Sequence, residues 1–141
     1  MNYLSLIGLV RGNKCKANIP PMIKNNIKLV PHFLRGLFDT DGCLKFSKQS
    51  SDKNYYPRLR IALKETSFSK ELKELLQKMH FNLSVVKDLR FGVICYEISG
   101  KENLKIWVKE IGTNNPIHKT KYLFWKRFGH YTPKSTLKER L

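Results

Sequence analysis

The sequence predicts an α+β domain in which four antiparallel strands carry their helices on one face. Three observations support this class. Two pairs of segments, 43–49 with 56–64 and 81–88 with 91–99, alternate with the period-two pattern of strands. Apolar stripes at helical spacing follow each pair: Leu72, Leu75, Leu76 and Met79, then Leu104, Trp107, Val108 and Ile111. A further helix precedes the first pair, so the order is helix, two strands, helix, two strands, helix, helix.

Residues 1–30 read as a basic N-terminal arm and residues 31–141 as one domain. Within the arm, Asn2–Val10 is short and apolar, Arg11–Lys14 has the composition of a turn, and Ile19-Pro20-Pro21-Met22 is an extended break before one helical turn near Ile23–Asn26. Pro31 suits the first turn of the next helix, and Gly42 is placed to end it in a left-handed cap. Cys43–Gln49 and Tyr56–Lys64 form a hairpin around the polar loop Ser50–Asn54. In its second strand Leu59, Ile61 and Leu63 share one face, and Arg58, Arg60 and Lys64 share the other. Ser67 or Ser69 caps the next helix. Strands 81–88 and 91–99 turn near Leu89-Arg90, Gly100 breaks the chain, and a helix spans Glu102–Ile111. The segment Gly112–Pro116 reads as a loop, Lys119–Phe128 as a helix capped by Gly129, and Thr132–Leu141 as a basic last turn or tail.

The chain has 141 residues, 41% of them hydrophobic and 11% aromatic, enough for a real core and too apolar for disorder. No stretch is long and apolar enough for a membrane span, and a soluble, cytoplasmic, nucleic-acid-associated protein is the expectation. Its 27 Lys and Arg against 11 Asp and Glu give a net charge of +16, densest in residues 1–50 and 101–141. Such an excess fits a polyanionic partner, because each phosphate neutralised releases counterions. Cys15, Cys43 and Cys95 are far apart with no C-x-x-C pair, which points to reduced, packing thiols rather than a disulfide framework or a zinc site.

The stretch Phe33–Gly42, FLRGLFDTDG, carries two local penalties. Gly36 lies mid-helix, where glycine costs about 1 kcal/mol relative to alanine. Asp39 and Asp41 lie at the carboxyl end, where the helix dipole disfavours acids. A helix glycine lets another backbone approach closely, and a carboxylate held at a negative helix end is suited to a divalent cation.

Leu34–Gly42 resembles, position by position, the LAGLIDADG motif of homing endonucleases and intron maturases. Gly36, Leu37, Asp39, Asp41 and Gly42 are the motif's own letters, while Arg35 stands where a small residue is usual. The element order over Pro31–Phe128 resembles the same family, and Asn115–Phe128 and Thr136–Leu141 look like its archaeal members. The resemblance implies a saddle-shaped sheet over DNA. A chain with one motif resembles the homodimeric members, in which two motif helices pack together. Gly36, Phe33, Leu37 and Thr40 would then form the interface.

The resemblance further implies a site-specific endonuclease for double-stranded DNA that uses magnesium, with manganese or calcium able to substitute in binding. Asp41 is the implied catalytic metal ligand, with a backbone carbonyl of Gly42 or Thr40 beside it, while Asp39 supports the helix end. Lys119 is the candidate that stabilises the phosphate or perturbs the water, with His118 and Lys121 behind it. Ser67 or Lys64 could order the water network.

DNA reading falls to the outward hairpin residues Lys45, Ser47, Gln49, Arg58, Arg60 and Lys64, since Gln and Arg make bidentate bonds to adenine and guanine edges. Lys53, Lys87, Lys126 and Lys134 suit phosphates. Two alternatives on the same fold stay open at this point: an RNA maturase or intron-splicing factor, and a catalytically silent DNA-binding regulator.

Overall fold

The computed structural model describes residues 17–141, so the readings for Asn2–Val10 and Arg11–Lys14, and Cys15, lie outside the described residues. From the amino end the elements are α1 (Pro21–Lys24), α2 (Val30–Asp41), β1 (Gly42–Ser47), β2 (Tyr56–Lys64) and α3 (Ser67–Lys78). They continue with β3 (Ser84–Asp88), β4 (Val93–Ser99), α4 (Lys101–Glu110), α5 (Pro116–Phe128) and α6 (Leu137–Arg140). The strands form one antiparallel sheet in the order β1-β2-β4-β3. The expected α+β class and element order are both present.

Register fixes which side chains share a face. Leu44 lies opposite Leu59, and Leu59 opposite Ile98, so these three point the same way, into the core. Lys45 opposite Arg58 and Arg60 opposite Glu97 point the other way. The helices supply the second layer: Leu34 and Phe38 from α2, Leu72, Leu75 and Leu76 from α3, Leu104 and Trp107 from α4, and Trp125 from α5. Trp107 is the hub, its ring centroid 5.0 Å from Phe38 and 5.5 Å from Phe81. Burying a side chain of such size contributes roughly 1.5–3 kcal/mol.

Residues 17–30 lie against this body. Ile19 is fully buried in the core, and its amide donates to Glu71 at 2.7 Å, while Lys24 pairs with the same carboxylate at 2.6 Å. Helix α2 has Pro31 in its first turn and turns Val30, Leu34 and Phe38 inward at four-residue spacing.

Several local expectations are corrected. Gly42 is extended (φ −86°, ψ 163°) rather than left-handed, because the chain runs from helix into strand without a turn. Glycine is needed there for a different reason: a Cβ would stand 2.5 Å from the Phe38 carbonyl oxygen. The cap of α3 is Thr66, not Ser67 or Ser69; Ser69 is buried and closes a capping box with it. Strand β3 starts at Ser84, since Phe81 is a buried core residue reached through the left-handed His80 (φ 64°). Strand β1 ends at Ser47, which leaves Gln49 in the following loop. Helix α5 starts at Pro116 rather than Lys119, because Asn115 caps it by accepting from the Ile117 amide at 2.9 Å.

Candidate active site and nucleic-acid interface

Two faces meet where α2 runs directly into β1. Asp41, the last residue of α2, is exposed and lines a depression on the outer side of the sheet, together with Cys43, Lys45, Arg60, Asp88 and Cys95. Thr40 beside it bonds back to the carbonyls of Gly36 and Leu37 at 3.2 and 3.1 Å, with its hydroxyl 3.4 Å from the Asp41 carboxylate. The sequence-predicted Asp41, Gly42, Lys45 and Arg60 are thus brought to one region, at the end of α2 and on the adjoining strands.

Asp39 points elsewhere. Its carboxylate accepts from the hydroxyl of Thr113 and from the amide of Asn114 at 2.8 Å, and its carbonyl accepts from Asn115 Nδ2 at 3.0 Å. Burial pushes its pKa up, but the bonds from Thr113, Asn114 and Asn115, with a smaller contribution from His118, outweigh that and leave it below 3.8. This acid is therefore a clamp that ties the helix end to the loop before α5.

Lys119 lines a different depression from the one that Asp41 lines. One turn into α5, it is exposed and lines a cleft of about 270 Å³ with Phe38, Leu44, Leu59, Trp107 and Tyr122, on the core side of the sheet. The cap at Asn115 sets this phase of the helix. Lys121 donates from Nζ to the Leu44 carbonyl at 3.2 Å, which covers the edge of β1. His118 is 5% exposed, its ring 4.7 Å from that of Phe38, and its Nδ1 has no hydrogen-bond partner among the described residues. Burial and the charge of Lys121 lower its pKa below 6.5, against the opposing pull of Asp39 and the Gly42 backbone. It serves as a neutral packing group. The cations that line the depression with Asp41 are Lys45 and Arg60.

The outer face of the hairpin carries the predicted residues in register. Lys45 and Lys64 are exposed, and Ser47, Arg58 and Arg60 half-buried. Arg58 donates from Nε to Ser47 Oγ at 2.9 Å, its guanidinium lies 5.4 Å from the centroid of the Tyr56 ring, and Nη1 bonds Glu97. Glu97 was missed, although the alternation of Ile94, Tyr96 and Ile98 as core residues turns it outward. Ser67 bonds Asn18 at 2.7 Å and is taken up by the amino-terminal segment.

Among the described residues, nothing packs on the face of α2 at Gly36. Gly36 is exposed, and a Cβ there would meet nothing within 4 Å. Phe33 and Leu37 beside it are partly buried, and Thr40 is exposed.

Among the described residues, no three His, Cys, Asp or Glu side chains cluster as a metal cage. One exposed carboxylate still fits a magnesium-type ion, which commonly takes one or two carboxylates and completes its shell with substrate phosphates and water. No described helix is long and apolar enough to cross a membrane.

Comparison with known proteins bears on the fold and the family. No curated protein sequence is significantly similar to the chain. The structure of the I-LtrWI LAGLIDADG homing endonuclease bound to target DNA superposes with a TM-score of 0.55 and 16% identity, over 72% of this chain and 37% of that one. Meganuclease I-SmaMI bound to uncleavable DNA gives 0.56 and 17%, over 89% and 48%. I-SmaMI on an uncleaved target in the presence of calcium ions gives 0.53 and 16%, over 78% and 42%. At these identities the likeness establishes the fold, and the chain spans between about a third and a half of the length of those structures. The family model for the LAGLIDADG-like domain matches residues 29–112, from the start of α2 to the end of α4, and the chain belongs to that family.

Proposed function

We propose that this protein is a site-specific double-stranded DNA endonuclease that works as a homodimer with a divalent metal, magnesium in its native form. The observation that carries the reading is the placement of Asp41: the motif helix delivers this acid to the outer, cation-bearing side of the sheet. Two chains that pair through the open Gly36 face, with Phe33, Leu37 and Thr40 around it, would bring their Asp41 carboxylates together. Each carboxylate, with the neighbouring Gly42 or Thr40 carbonyl, would hold an ion.

A bound divalent ion lowers the pKa of its water and neutralises charge on the scissile phosphate. The chain's own residues do the rest. Lys45 offers a cation beside Asp41 for a phosphate oxygen, and the hairpin side chains Ser47, Arg58, Arg60 and Lys64 face the duplex. Gln49 extends that surface from the loop, where it reaches the flanking part of the site.

The test is cleavage of a randomised DNA library with magnesium, followed by sequencing of the cut ends, for the parent and Asp41→Asn. The parent should give one family of double-strand cuts, and the variant should bind the same sites without cutting them. Cutting by the variant at the parent rate overturns the metal assignment. Tight binding of a structured intron RNA with no DNA cleavage by the parent would favour a splicing role instead.

A further inference from the structure

A face built to hold a polyanion has no electrostatic use for a buried acid at its centre, yet Glu97 occupies that position. It lies on the outer side of β4, opposite Arg60 on β2 and Ser84 on β3, and is 9% exposed. Its Oε1 accepts from Arg58 Nη1 and from Ser99 Oγ at 3.1 Å, and its Oε2 lies 3.3 Å from Arg60 Nε. Oε1 is therefore hydrogen-bonded to Arg58, and Oε2 stands at ion-pair distance from Arg60 without a hydrogen bond to its Nε.

Stability is a weak reason for such a group, because a buried ion pair gives little over well-packed apolar residues. Phosphate affinity is no reason at all, since the carboxylate cancels a cation that would otherwise draw the backbone. Positional control remains. An arginine that is fixed before binding loses less side-chain freedom on docking, and its planar fork keeps a defined direction. Arg58 is held by Glu97, Ser47 and the Tyr56 ring, and the ion pair to Arg60 uses Nε, which leaves that side chain's terminal nitrogens outside the pair. The fixed negative charge also repels phosphate oxygens more than it does the neutral O6 and N7 acceptors of guanine, so it biases both forks toward bases.

We infer that Glu97 is a positioning residue for sequence readout: it holds Arg58 and Arg60 side by side on the outer face, aimed at guanine edges in the major groove. This rests on the reading of that face as the DNA surface. Removal of the carboxylate should then raise affinity for any duplex and lower discrimination.

The experiment selects bound duplexes from a randomised library, without divalent metal, for the full chain and for Glu97→Gln, Glu97→Asp, Arg58→Lys and Arg60→Lys. Affinity for an unrelated duplex is measured alongside, across a salt series. Glu97→Gln should bind the unrelated duplex several-fold more tightly and lose about tenfold in preference for the parent's site. Its enriched sites should lose guanine at the positions that the two lysine variants lose, and Glu97→Asp should restore part of that preference. A Glu97→Gln variant that enriches the parent's sites with unchanged weights overturns the inference and leaves the DNA reading intact. So does a loss of preference that Glu97→Asp fails to restore when both variants melt at the same lowered temperature. A parent that binds duplex but enriches no sequence overturns the readout role. A parent that binds no duplex overturns the proposed function along with it.

Discussion

Asp39 and Asn114 meet across 75 residues of chain, the Asp39 carboxylate accepting the Asn114 amide at 2.8 Å. With the added bond from Thr113, this pins the carboxyl end of α2 to the loop that launches α5. Hydrogen bonds to a charged group contribute about 1.5–3 kcal/mol each. Asp39→Asn keeps one acceptor and loses the charge, so the variant should unfold about 2 kcal/mol more easily, read as a lower urea midpoint at unchanged slope. An unchanged midpoint would show that the clamp contributes nothing.

The same clamp sets an acid limit. The folded pKa of Asp39 is depressed below 3.8, so the unfolded chain takes up the proton first. Its contribution is complete above pH 3.8 and disappears as the pH falls from there through the folded value. The parent should lose stability across that range, and Asp39→Asn should lose less of it, in paired denaturant titrations from neutral pH downward.

His118 acts higher on the pH scale and by the opposite route. Burial and Lys121 hold its folded pKa below 6.5, so the unfolded state binds the extra proton as the pH drops through that value. Stability should therefore fall on acidification below 6.5, where Asp39 is still fully ionised. In His118→Gln that slope should flatten. If it is as steep as in the parent, another group titrates there.

How much of this was legible depended on whether a residue's role is local. The inward stripe of α3 and the two faces of β2 follow from side-chain periodicity, and both are as the sequence implies. The outer faces of β3 and β4 were not assigned. Val85 and Val86 are both exposed on the edge strand, so alternation there carries no signal, and only the register with β2 sets Glu97 against Arg60. The start of α5 was set too late for a similar reason. Asn115-Pro116 reads as a loop by composition, but acts as a cap followed by a first-turn proline, and this sets the phase of α5. The partners of Asp39 lie too far along the chain for any window to show.

Gly42 is required by contact, not by conformation. Its φ of −86° suits any residue, but an added Cβ would stand 2.5 Å from the Phe38 carbonyl oxygen, which is backbone and cannot swing aside. Gly42→Ala should cost about 1–3 kcal/mol by overpacking. Because relief of the clash shifts the end of α2 that bears Asp41, cleavage should fall more than the fraction of folded protein does. Loss of activity that merely tracks unfolding, measured by circular dichroism on the same samples, would remove the positional part of this prediction.

Gly36 presents the reverse case. A Cβ there meets nothing within 4 Å in the single chain, so space does not forbid alanine. Glycine mid-helix costs roughly 0.5–1 kcal/mol relative to alanine, and Gly36→Ala should stabilise the isolated chain by about that much when it is dilute enough to be monomeric. The paired state should respond with the opposite sign, because close helix packing has no room for added bulk. Sedimentation should show the parent at about 33 kDa, twice the 16.6 kDa chain, with Gly36→Ala weakened and Gly36→Leu monomeric. A Gly36→Leu chain that still pairs with parental affinity would place the interface on another face of the molecule.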